Sequence, residues 1–175
     1  MSEQSRLHQL SALGQSVWID YLSRDMLRSG KLERMLREDA VVGVTSNPTI
    51  FQKAISQGDA NDEQLRACLD EVADAKEIFL QLAQRDVGEA CDLLRRVWDA
   101  GKGQDGYVSI EVDPGLAYDT EATVAQAKHF HDAIDRPNLH VKIPATEPGL
   151  GAIEEMIAAG RNINVTLIFS LERYR

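Results

Sequence analysis

Five short runs of this chain repeat one pattern. Positions 17–20, 41–47, 107–112, 139–143 and 163–170 alternate apolar and polar residues at strand spacing. Successive side chains of a strand point to opposite faces. One parity is apolar in each run: Val17 and Ile19; Val42 and Val44; Val108, Ile110 and Val112; Leu139, Val141 and Ile143; Ile163, Val165, Leu167 and Phe169. The other parity carries Asp20; Thr45 and Asn47; Ser109 and Glu111; His140 and Lys142; Asn164 and Thr166. Helix-like segments separate the runs, which predicts parallel strands with helices packed outside them. The polar parity then looks into a barrel. Barrel interiors are normally filled by branched apolar side chains. Carboxylates, a lysine, amides and threonines there imply a reaction chamber instead.

Lys142 stands in the middle of the fourth run. A cation on an otherwise apolar strand is costly unless it is paired or has lost its proton. Lysine is also the residue that forms a Schiff base once its amine is neutral. By itself the strand leaves both readings open: a satisfied structural ion, or a covalent nucleophile.

Between the runs, the spacing predicts a leading helix over 3–14, a helix over 24–37, and a turn of helix opened by Pro48. Positions 61–100 read as one long helical stretch, with Gly58 and Asp59 before it, a break near Gly88, and Gly101 and Gly103 after it. That is an inserted helical layer. Asp119 or Thr120 caps a helix over 121–133, and Thr146 caps the next, which ends at Gly160. His129 and His131 are two apart and do not share a helix face, so they predict no metal site. His140 lies deeper on the inner parity and reads as structural.

The chain has 175 residues, 43% hydrophobic and 27% charged, with a net charge of −9. The absence of a basic stripe argues against nucleic acid and anionic membrane surfaces as partners. No apolar run reaches the ~20 residues that span a bilayer, and positions 1–6 hold no apolar signal core. Cys68 and Cys91 lack metal-ligand spacing and fit reduced thiols, so a cytoplasmic location is expected.

Four segments carry a family resemblance: Gly43 to Phe51 (GVTSNPTIF), Ser109 to Pro114 (SIEVDP), Val141 to Thr146 (VKIPAT) and Asn162 to Ser170 (NINVTLIFS). In this order they resemble the successive strand motifs of the transaldolases, in the longer bacterial form. The resemblance implies a (β/α)8 TIM-type barrel. It also implies transfer of a dihydroxyacetone unit between sugar phosphates of the pentose phosphate pathway, through a lysine Schiff base and with neither metal nor organic cofactor. It makes Lys142 the Schiff-base lysine, Glu111 and Asp20 the acid/base carboxylates, and Thr166 the holder of the catalytic water. Asn47, Asn164 and Thr45 become contacts to the three-carbon unit. Fructose 6-phosphate, erythrose 4-phosphate and sedoheptulose 7-phosphate are the implied substrate class.

The residue chemistry is compatible with those roles. Forming and dehydrating a carbinolamine needs positioned proton donors and acceptors, and two carboxylates can divide such tasks. About five strands are predicted where the barrel needs eight. Residues 1–175 are therefore expected to form a single incomplete barrel domain, with its C-terminal strands and phosphate grip missing. Such a piece is expected to be inactive alone and to self-associate through open sheet edges. The alternatives are a catalytically inactive partial barrel and a related Schiff-base sugar-phosphate aldolase.

Overall fold

A computed structural model of the chain describes residues 5–56, 59–72 and 74–175. Helix α1 (Arg6–Ala12) leads into β1 (Val17–Asp20), followed by α2 (Arg24–Arg28) and α3 (Lys31–Glu38). Strand β2 (Val41–Thr45) precedes α4 (Pro48–Ser56), α5 (Asp62–Glu71) and α6 (Ala75–Ala100). Strand β3 (Val108–Glu111), a 3₁₀ turn (Pro114–Leu116) and α7 (Thr120–Ile134) come next. Strand β4 (Leu139–Pro144), α8 (Glu147–Ala158), β5 (Ile163–Thr166) and α9 (Leu171–Tyr174) complete the order.

All pairings are parallel, and the strands lie side by side in sequence order, β1 to β5. This is a partial (β/α)8 barrel. Its oily face is covered from outside: Val108, Ile110, Leu139, Val141 and Ile143 pack with Leu94, Phe130 and Met156 in one core. Each such side chain taken fully out of water contributes about 1.5–3 kcal/mol. The βα turns end in capping residues whose side-chain oxygens accept an otherwise unpaired helix N–H. Ser23 accepts from Met26 at 3.2 Å, Asp119 from Ala122 at 2.9 Å and Thr146 from Gly149 at 3.0 Å. Inside the core, Arg24 Nε donates to Asp86 Oδ1 at 2.7 Å, both side chains 1% exposed, tying α2 to α6. Burial pushes the Asp86 carboxyl upward, against the pull of Arg24.

Several expectations need correction. The helix over 24–37 is two helices, because Gly30 turns the chain with φ +68° between them. The predicted break near Gly88 does not occur: α6 runs through it, and the stretch is instead divided into α5, which ends at Glu71, and α6, which starts at Ala75. Gly58 and positions 3–4 of the leading helix lie outside the described residues. In β2 the apolar row is Val41 and Val44, because an irregularity in the β1–β2 register inserts Val42; an extra residue flips the parity before it. Strand β5 stops at Thr166, since Leu167 takes φ +63°. Leu167 and Phe169 therefore leave the outward row and are exposed, and Val165 is only partly covered.

Candidate functional site

The strand registers set a row of polar side chains. Glu111 pairs with Lys142, Lys142 with Asn164, and Pro144 with Thr166. In-register neighbours on parallel strands sit about 5 Å apart on the same face. Lys142 Nζ lies 3.4 Å from Glu111 Oε2, with the side chains 12% and 16% exposed. Water is therefore largely kept from the pair, and the attraction is stronger than at a surface. Just past the end of β2, the Ser46 carbonyl accepts from Lys142 Nζ at 3.2 Å. Asn164 Nδ2 donates to Ser109 Oγ at 3.2 Å, one row deeper.

Asn47, Glu111, Lys142 and Thr166 line one open cleft of about 470 Å³, flanked by Pro114 and Leu167. The structure thus brings four of the seven candidate residues to a common opening. Among the described residues, Asp20, Thr45 and Asn164 stand outside that lining. Asp20 is exposed on β1 and pairs in register with Thr45, two strands before Glu111. Asn164 joins through its register with Lys142. Asn47 has a second duty: its Oδ1 accepts from the Ile50 N–H at 3.0 Å, at the start of α4. Its amide nitrogen and the second lone pair of its oxygen remain for a ligand.

The loop after β3 is fixed from three sides. Asp113 pairs with Lys76 at the start of α6. Its Oδ1 accepts from the Gly115 N–H at 2.7 Å, and its own N–H donates to Gln126 Oε1 at 2.6 Å. The Lys76 hydrogen bond, then the Gly115 N–H, holds the Asp113 carboxyl below its ordinary value. Deeper on the inner face, His140 stacks on Tyr107 at 4.0 Å, with Trp18 at 6.2 Å. Burial, helped by repulsion from His131, pushes His140 down to about 4. A neutral imidazole in an aromatic stack fits a structural part. Burial pushes the Cys91 thiol up to about 12, so it is not a nucleophile near neutral pH.

Ser46 and the Lys76–Asp113 pair were not singled out in the sequence. Ser46 did leave a signal, as a hydroxyl in the parity that should be oily.

A model of the Transaldolase/Fructose-6-phosphate aldolase family matches residues 17–175. The chain belongs to that family. A transaldolase of Frankia alni is 54% identical over 168 residues, covering 96% of this chain and 45% of the relative. A transaldolase of Mycolicibacterium paratuberculosis is 51% identical over 174 residues, covering 99% and 47%. A protein named Transaldolase 2 from Streptomyces coelicolor is 53% identical over 169 residues, covering 97% and 45%. The chain therefore spans somewhat under half the length of these curated relatives.

Proposed function

We propose that this chain carries the Schiff-base machinery of a transaldolase acting on sugar phosphates in the pentose phosphate pathway. The observation that supports it best is the Lys142 amine, held at 3.4 Å from Glu111 at the wall of an open cleft. In this reading neutral Lys142 attacks the ketose carbonyl. Glu111 supplies a proton as the carbinolamine hydroxyl leaves as water, giving an iminium. Asp20 takes the proton of the hydroxyl on the carbon beyond the breaking bond. The bond's electron pair flows to the iminium, an aldose departs, and the bound enamine adds to the next aldehyde. Thr166 holds the water exchanged at these steps. Asn47 and Asn164 grip hydroxyls without adding charge, with Thr45 beside them. No step requires a metal or an organic cofactor. Five strands supply part of a closed barrel, so the isolated chain should form the covalent adduct without efficient turnover. The reduced thiols Cys68 and Cys91 fit a cytoplasmic setting.

Borohydride reduction in the presence of fructose 6-phosphate should leave a stable mass on the Lys142 peptide. Lys142→Ala should abolish it, and Glu111→Gln should slow it by about 10²-fold, the scale of a lost proton-transfer group. A label that persists in Lys142→Ala would sink the assignment. The family name also covers fructose-6-phosphate aldolase; release of the three-carbon unit without an acceptor aldose would favour that second reading.

A further inference from the structure

Ser46 is fully buried at the end of β2, yet nothing in the chemistry above uses it. Its hydroxyl donates to the Ser109 carbonyl of β3 at 2.9 Å, and its own carbonyl accepts from Lys142 Nζ at 3.2 Å. We propose that Ser46 is a positioning residue for Lys142: the hydroxyl ties β2 to β3, and the carbonyl so held fixes the rotation of the lysine amine. This rests on the reading of Lys142 as the Schiff-base amine.

The β2–β3 seam makes the tie necessary. Its register has a single pair, Val44 with Val108, whereas β3–β4 and β4–β5 each have four. Past Val44 the ladder no longer holds the end of β2 against β3. The serine hydroxyl supplies that closure at the level of the lysine. A neutral amine has two N–H bonds and one lone pair. Ser46 O takes one of those N–H bonds, while Glu111 Oε2, on another strand, stands 3.4 Å from the nitrogen as a charged neighbour. With one N–H held by the carbonyl, the rotation that brings the lone pair toward the cleft lined by Asn47 and Thr166 is restricted. Without the Ser46 carbonyl, the amine rotates freely and its lone pair is aimed only part of the time.

Two measurements on the folded 175-residue chain test this. Competitive acylation by acetic anhydride, read at the Lys142 peptide from neutral to alkaline pH, reports the amine without any carbonyl substrate. Reductive trapping of dihydroxyacetone reports adduct formation. Ser46→Ala should shift the pH profile of acylation and slow trapping about tenfold or more, within the range that small misplacements of a reacting group cost. Ser46→Thr, which keeps the hydroxyl, should restore both. If Ser46→Ala does not fold, judged by near-ultraviolet circular dichroism, Ser46→Cys keeps the volume with a weaker donor and takes its place. An unchanged acylation profile in the folded variant overturns the proposal. If the wild type acylates normally but never traps a ketone, the Schiff-base reading fails, and the acylation profile still decides the role of Ser46.

Discussion

His140 shows how one residue can set the acid limit of this fold. It is stacked on Tyr107, faces Trp18, and has His131 as a titratable neighbour, itself pushed down by burial. Burial holds its pKa near 4, against 6.5 for the free side chain. The unfolded chain therefore takes up a proton on His140 at a pH where the folded chain does not. The neutral ring's contribution is complete above about pH 6.5 and is lost as the pH falls toward 4, up to about 3 kcal/mol in all. His140→Phe keeps a ring in the stack and has no proton to gain. Urea unfolding of both proteins at several pH values should show the wild type losing more stability than the variant across this window. Parallel curves would refute the assignment. Lys142, one pair of residues along the same strand, has a different environment, since the Glu111 carboxylate lies 3.4 Å away and the Ser46 carbonyl accepts from it. Residues of one parity on one strand thus meet opposite surroundings, an aromatic stack below and a carboxylate and a carbonyl above.

At the scale of elements, two helical glycines have opposite meanings. A Cβ on Gly149 would lie 2.1 Å from the Pro144 carbonyl oxygen and 2.8 Å from Thr146 Oγ1. Only glycine lets α8 start this close to the end of β4, where Thr146 caps Gly149 and donates to the Ala117 carbonyl. A Cβ on Gly88 meets nothing within 4 Å. Gly149→Ala should destabilise by about 1–3 kcal/mol through overpacking, and Gly88→Ala should stabilise by roughly 0.5–1 kcal/mol through helix propensity. Thermal unfolding of the two variants checks both signs; equal shifts would show the contact argument to be wrong. The same pair explains what was legible in the sequence. Parity found the inner face because Glu111, Lys142 and Thr166 obey a strict period of two. Gly88 misled because its propensity cost is small beside the burial of Leu82, Val87, Ala90 and Leu94 on the same helix. Leu167 misled because leucine rarely adopts a left-handed turn, so its apolar alternation ran past the real end of β5. The Ser46 acceptor is a main-chain atom, which residue-type patterns cannot display. Asn47 was found, but its oxygen belongs to a helix start.

For the whole molecule, the open arc matters most. Among the described residues, β1 and β5 each pair on one side only. Beyond β5, Leu167, Phe169, Leu171 and Tyr174 are exposed, Phe169 by 87%. Unpaired strand edges beside apolar surface favour association. Light scattering should therefore give a mass above the 19.4 kDa of one chain, falling toward it in a Phe169→Lys, Leu171→Lys variant. A monomer at every concentration would exclude this. The arc also has an internal division. β2 ends at Thr45 and β3 begins at Val108, so joining them closes roughly two to three times as much chain as the other crossovers, an extra cost of about 0.7–1 kcal/mol in entropy. The β1–β2 pair and the β3–β4–β5 trio are each joined over shorter connections, so the thin seam between them carries the largest closure cost in the sheet. Ser46 and Lys142 stand on opposite banks of that seam. In a sheet whose two parts have not yet joined, Lys142 would have Glu111 beside it through the β3–β4 register but would lack the Ser46 carbonyl.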